Sequence, residues 1–230
     1  MDPDARTQAL IVFAKIPHPG RVKTRLTTVL TEADACRLYT AFLRDALAQY
    51  GRLGVDVRLY LGPPAEPIPD GLVPPGVSVH RQRGAGLGER MAAAFVETFA
   101  AGYERVVIIG TDHPTLPTAF IEQAFAALAG PQALCLGPSD DGGYYLLGMN
   151  APYTSVFKGM TYSHGDVFRQ TLGRCSATRA ATTVLPMWYD VDTPDDLRRL
   201  AADLNAPDAT ASHTRGVMAE LKTAYPELAD

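Results

Sequence analysis

Cysteine is scarce in this chain. Cys36, Cys135 and Cys175 are the only three, far apart and odd in number. With no CxxC pair and no closely spaced His and Cys residues, neither a disulfide framework nor a structural zinc site can be read, and a reducing compartment is expected. Long apolar runs are also missing: none approaches the roughly 20 residues of a membrane-spanning helix. Residues 1–9 are polar and lack the apolar centre of a secretory signal. Positive charge is not in excess, since 21 Lys and Arg stand against 25 Asp and Glu for a formal charge of −4. That balance excludes a broad electrostatic grip on nucleic acid or anionic lipid and leaves room only for local clusters of cations. The expectation is a cytoplasmic protein without a membrane span or a nucleic-acid partner, its oligomeric state open.

Several phosphate and nucleophile motifs are absent as well. No stretch has the spaced glycines and Gly-Lys-Thr/Ser ending of a Walker A loop. Gly84-x-Gly86-x-Gly88 is too tightly spaced for the dinucleotide fingerprint, and no acid marks a ribose site about 20 residues on. Neither a nucleophile elbow nor an internal repeat is found.

What the chain does have is 230 residues, 47% of them apolar and 20% charged, enough for a sizeable core in one large or two small domains. The run Val106-Val107-Ile108-Ile109 has no polar face and reads as a strand buried on both sides, as in a parallel sheet covered by helices. Gly110 and Thr111 release the chain, and Asp112 lands just past the strand's carboxyl end, where open α/β sheets bind ligands. A carboxylate there does not help a core. Its simplest use is to hold a metal ion that carries phosphates; the bland use is to cap a helix or turn. His113 reads as a packing or hydrogen-bonding residue.

Around this strand the chain alternates. Strands are expected at 9–14, 55–61, 77–80, 133–137, 144–148 and 181–185, and helices at 31–50, 89–101, 118–128, 193–204 and 214–225. Thr31, Thr118 and Thr193 are the expected caps, and Ser163 with Asp166 reads as a capping box before a further helix. Residues 62–76 hold six prolines and read as a surface excursion. The Ser139-Asp140-Asp141-Gly142-Gly143 turn leaves too little room for a crossover helix, so an antiparallel strand is expected beside it.

Four places suggest chemistry. Arg21, Lys23 and Arg25 follow the first strand and suit phosphate oxygens, or are solvated surface charge. Gly84, Gly86 and Gly88, with Arg90 nearby, let backbone N–H groups approach a nucleotide, or simply make a flexible helix start. Asp190 and Asp192, two apart at another strand exit, offer a second carboxylate beside Asp112, or turn the chain. Asp141, Gly142, Gly143 and Tyr144 suit orientation of a sugar or acceptor, or form a tight hairpin.

These blocks together carry a resemblance. They are Phe13-Ala14-Lys15-x-Pro17-x-Pro19-Gly20-x-Val22-Lys23-Thr24-Arg25-Leu26, Gly84-x-x-Leu87-Gly88-Glu89-Arg90-Met91, Gly110-Thr111-Asp112-x-Pro114-x-Leu116, Asp141-Gly142-Gly143-Tyr144-Tyr145-Leu146-x-Gly148 and Tyr189-Asp190-Val191-Asp192-Thr193-Pro194-x-Asp196-Leu197. In this order, over residues 9–204, they resemble the bacterial DUF2064 family. Its members resemble glycosyltransferases of the A type and are often labelled rSAM/selenodomain-associated transferase 1 or arsenosugar-biosynthesis glycosyltransferase. The resemblance implies the three-layer α/β/α, Rossmann-like fold of nucleotide-diphospho-sugar transferases, with a mostly parallel mixed sheet. That domain would occupy 9–204, after a disordered tail at 1–8 and before a helical extension at 205–230 packed on it.

The resemblance further implies Mg²⁺ or Mn²⁺ held by Asp112 and Asp192, the latter ahead of Asp190. Phosphate contacts would come from Lys15, Lys23, Thr24, Arg25, Gly84, Gly88 and Arg90, and acceptor contacts from Asp141, Gly142, Gly143 and Tyr144. Asp112, Asp141 and Lys23 would be catalytic. The implied reaction is sugar transfer from a nucleotide sugar to a small acceptor. The alternative is nucleotidyl transfer from a nucleoside triphosphate to a phosphorylated metabolite, as in the guanylyltransferases that share the fold. Lys23-Thr24-Arg25 stands in place of the usual glycine-rich first loop, His113 in place of a small residue, Gly86 in place of an acid, and Tyr162-Ser163-His164 in place of Trp-Ser-Thr.

Overall fold

A computed structural model of the chain describes residues 7–64, 66–206 and 210–228. Seven strands form one sheet: β1 Gln8–Ala14, β2 Asp56–Leu61, β3 Ser78–Arg81, β4 Arg105–Ile109, β5 Ala133–Pro138, β6 Tyr144–Met149 and β7 Ala181–Val184, in the order β3-β2-β1-β4-β6-β5-β7. All neighbouring pairs are parallel except those of β6, which runs antiparallel to both β4 and β5. The short turn before Tyr144 dictates this, because a hairpin joins antiparallel strands only.

Helices cover both faces, which makes the molecule a three-layer α/β/α sandwich. On one face α1 (Glu32–Tyr50) and α3 (Thr118–Ala127) pack Leu43, Leu47, Ile121 and Phe125 onto Leu10, Val12, Val107 and Ile109. On the other, α2 (Leu87–Ala100) and α4 (Val167–Ala177) bring Met91, Phe95 and Cys175 to Ile11, Val106, Ile108 and Leu147. Alternate residues of β1 and β4 serve opposite faces, as the period of a strand requires. The outer side of α1 packs Leu38 and Phe42 against α5 (Pro194–Asp203) and α6 (Ser212–Ala224) through Leu197, Leu200, Met218 and Leu221. Buried Asp45 of α1 accepts the His213 N–H at 3.0 Å and the Thr214 N–H at 2.7 Å, so it supplies the N-terminal cap that Ala211 cannot.

Some boundaries differ from the sequence reading. Helix α2 begins at Leu87 rather than Glu89, because the Glu89 carboxylate reaches back to the Ala85 N–H at 2.8 Å and ties down the first turn. Pro117, not Thr118, holds the capping position of α3. The Ser163 capping box does not form: Ser163 is left-handed at φ 67°, and Asp166 occupies the N-cap position of α4 without a side-chain cap bond, its carboxylate being taken by Arg169 at 3.0 and 2.7 Å. Thr31 and Thr193 cap as expected, the latter in a full capping box with Asp196. Of the tail expected at 1–8, residues 1–6 lie outside the described residues, whereas Gln8 already pairs with Arg105. No helix among the described residues is long and apolar enough to cross a membrane.

Candidate active site

The site lies where the chain leaves β1 and β4. After β1, the Tyr39 hydroxyl of α1 accepts the Lys15 N–H at 2.8 Å and donates to the Lys15 carbonyl at 3.2 Å. Burial pushes the Tyr39 phenol up to about 12, so it keeps the proton this clasp needs. Lys23 then adopts left-handed geometry, φ 49° and ψ 38°, a conformation unusual for a side-chain-bearing residue. It opens a short 3-10 turn, Thr24–Thr28, with its carbonyl accepting the Leu26 N–H at 2.9 Å.

Lys23 is turned inward, its side chain only 2% exposed and its ammonium 5.5 Å from the centre of the Phe42 ring. The ammonium forms ion pairs with Asp112 Oδ1 and, at 3.0 Å, with Asp192 Oδ1. Arg25 Nη1 reaches Asp192 Oδ2 at 3.5 Å from the solvent side. The two carboxylates keep 44% and 39% of their exposure and so face solvent, with Lys23 behind them. Two bonds fix them in place: the Val191 N–H donates to the Asp112 backbone carbonyl at 2.8 Å, and the Asp192 N–H donates to the Asp196 carboxylate at 3.0 Å. The capping box of α5 therefore also positions Asp192.

Charge sets the protonation states. Burial alone lowers the Lys23 pKa, but Asp112 and Asp192 together outweigh it and hold the ammonium above its ordinary value. Burial raises Asp112, while Lys23, with help from His113 and Lys15, carries it below the usual carboxylate range. Asp190 behaves oppositely. Burial, then the Asp112 charge, push it up to about 7, even though Ser139 Oγ donates to it at 2.9 Å. His113 is buried, packs edge-on to Tyr145 at 5.7 Å and has neither ring nitrogen paired.

The donor set fits a hard divalent cation that arrives with phosphates. Mg²⁺ is usually held by one or two carboxylates, with phosphates and water completing the shell, and Asp112 and Asp192 are two oxygen donors already gathered around one cation. No group of three or more His, Cys, Asp or Glu side chains suited to a metal occurs among the described residues, which argues against a protein-only cage.

The other candidates are placed differently. Lys15 and Thr24 are exposed on the first loop. Arg90 grips the Gly84 and Ala85 carbonyls, each at 3.2 Å, and so braces the glycine turn. A side chain at Gly88 would meet the Tyr162 hydroxyl at 2.9 Å, and one at Gly84 would meet Glu89. The Asp141 carboxylate accepts the Gly143 N–H at 2.8 Å inside a tight hairpin that Ser139 N–H to Gly143 O closes at 3.0 Å. Gly142 has φ 86°, and an added side chain would strike the Gly165 carbonyl. The Tyr144 hydroxyl points to Met91 Sδ at 3.7 Å, within the apolar layer under α2. Tyr39, Phe42 and Ser139 were not singled out from sequence. Tyr39 and Phe42 sit on the apolar stripe of α1, where nothing local distinguishes a core aromatic from one that supports a lysine.

Fold and likeness together define the class, the nucleotide-diphospho-sugar transferase fold. A solved structure from Desulfovibrio desulfuricans G20, provisionally described as a nucleotide-diphospho-sugar transferase, matches with 32% identity and TM-score 0.89, over 97% of this chain and 98% of that one. A 4-diphosphocytidyl-2C-methyl-D-erythritol synthase (10% identity, TM-score 0.57, 87% of this chain and 99% of that one) shares the fold. So does a cytidylyltransferase from Leptospira borgpetersenii serovar Hardjo-bovis (13% identity, TM-score 0.55, 97% and 96%). No curated protein matches the sequence. Residues 46–164 match the model of DUF2064, described as an uncharacterized protein conserved in bacteria, and the chain belongs to that family.

Proposed function

We propose that the protein is a metal-dependent nucleotidyltransferase that joins a nucleoside triphosphate to a phosphorylated metabolite and releases pyrophosphate. The observation that carries this reading is the cluster of Lys23 and Arg25 on Asp112 and Asp192. Both substrates of such a reaction are anionic at the reacting end, and cations beside the metal carboxylates suit two phosphates better than a neutral acceptor. Asp112 and Asp192 would hold Mg²⁺ or Mn²⁺, which when bound neutralises phosphate charge. Arg25, on the solvent side, binds phosphate oxygens as a fork, and buried Lys23 acts behind the carboxylates as a point charge. An acceptor phosphate oxygen bonds to the α-phosphorus while the bond to the bridging oxygen breaks, and pyrophosphate carries that electron pair away. In this reading Gly84, Gly88 and the Arg90-braced turn would border the nucleotide, and Asp141, Gly142 and Gly143 would contact the acceptor, while Tyr144, packed under α2, would only support that turn. The three buried free thiols support a cytoplasmic setting.

A second reading, sugar transfer from a nucleotide sugar to a small acceptor, is favoured by the description of the Desulfovibrio relative. Product analysis separates the two. Pyrophosphate formed from triphosphate plus a panel of phosphorylated metabolites supports the first. Nucleoside diphosphate freed from a nucleotide sugar only when an acceptor is present supports the second and overturns the first.

A further inference from the structure

We infer that Lys23 is a built-in counter-ion that closes the Asp112–Asp192 pair to a free divalent cation, so that metal and nucleotide enter together. This rests on the proposed reading that those two carboxylates hold the metal. A single ammonium meets both acids, and it does so from inside the fold, where 2% exposure leaves it little water to turn to. Its base is fixed by the left-handed backbone and the 3-10 turn that follows. Around it lie the two carboxylates and the Phe42 ring.

The charge balance points the same way. Lys23 and Arg25 already balance Asp112 and Asp192 charge for charge through their ion pairs. A bare dication adds two positive charges to that and must share both carboxylates with Lys23. A dication already bound to a nucleoside triphosphate arrives as an anion. Its phosphate charge offsets the positive charge that the metal adds beside Lys23, and it offers the exposed Arg25 a new partner at the moment the metal takes Asp192. The same ion pairs that oppose metal alone therefore favour the metal–nucleotide complex, which couples the two ligands without any distant movement.

Manganese binding to the whole chain, followed by electron paramagnetic resonance, tests this without turnover. Mn²⁺ is titrated alone and with non-hydrolysable α,β-methylene analogues of the four ribonucleoside triphosphates. The wild-type protein is expected to bind Mn²⁺ at least about tenfold more tightly with the best analogue than without, after allowing for Mn²⁺ held by free analogue. Lys23→Met, which keeps the aliphatic stem, is expected to bind Mn²⁺ alone at least about tenfold more tightly than wild type. Equal wild-type affinity with and without every analogue overturns the inference, and so does a folded Lys23→Met that gains nothing. If that variant fails to fold, the wild-type comparison still decides. A failed gate beside a positive pyrophosphate assay leaves the proposed function standing. Coupled Mn²⁺ binding without pyrophosphate leaves the gate standing and removes that reaction.

Discussion

His113 gives the sharpest test of how the site is built, because it stands next to Asp112 yet is packed as core. It is 3% exposed, lies edge-on to Tyr145, and has both ring nitrogens without a partner. Burial first, then the Lys23 charge, lower its pKa to about 4, against the partial opposition of Asp112. An unfolded histidine titrates near 6.5. Between those values the unfolded chain holds the extra proton, so this residue's contribution to stability is complete above about pH 6.5 and is lost progressively down to about pH 4. From pH 7 to pH 5 the linkage amounts to roughly 2 kcal/mol. His113→Phe keeps a ring against Tyr145 and removes the titration. Urea denaturation in EDTA at the two pH values should show wild type losing about 2 kcal/mol more than the variant, a midpoint difference on the order of 1 M. At pH 7 the variant should be as stable as wild type or more so, since two unpaired polar atoms leave the core. Identical losses on acidification would show that His113 is not buried neutral, and the packing account of this residue would fail.

Two further outcomes are expected. Arg25→Ala should weaken binding of the preferred nucleotide by about tenfold to a hundredfold, the value of one charge-assisted contact; calorimetry should show Arg25→Lys restoring only part of it, and unchanged affinity in a folded Arg25→Ala protein would leave this arginine as a brace for Asp192. Gly142→Ala should lower stability by at least about 2 kcal/mol, because φ 86° disfavours a side chain and the new carbon would meet the Gly165 carbonyl; a thermal melt matching wild type would refute the close packing of the 139–143 turn.

What was legible in the sequence, and what was not, divides along a physical line. The β-branched run of β4 announces burial by composition alone, and Asp112 at its exit follows from chain direction. The antiparallel β6 follows from loop length, and the α1 and α5 starts from side chains that bond within three residues. Each is a local consequence of local chemistry. The α4 start failed because two candidate partners competed for one acid: Arg169, three residues on, took Asp166, and no box formed with Ser163. On extended backbone Lys23 and Arg25, two apart, would point one way, and early in a helix they would diverge. The left-handed residue at 23 is neither, and it lets one cation go under Asp192 while the other comes over it. Nothing between residues 23 and 25 encodes that. It is set by Phe42 and Tyr39, the aromatics of α1 beneath the first loop, and by a capping box at residue 193 that delivers Asp192 from the far end of the domain. Arg90 shows the converse. Its place beside three glycines suggested a phosphate ligand, yet the carbonyls that those glycines expose in turning already occupy its guanidinium. A cation near a flexible turn is thus ambiguous from sequence, because the bare backbone that lets a phosphate approach is itself an acceptor. Lys23 resolves the other way because the acceptors within its reach are carboxylates, Asp112 past the end of β4 and Asp192 just before the start of α5.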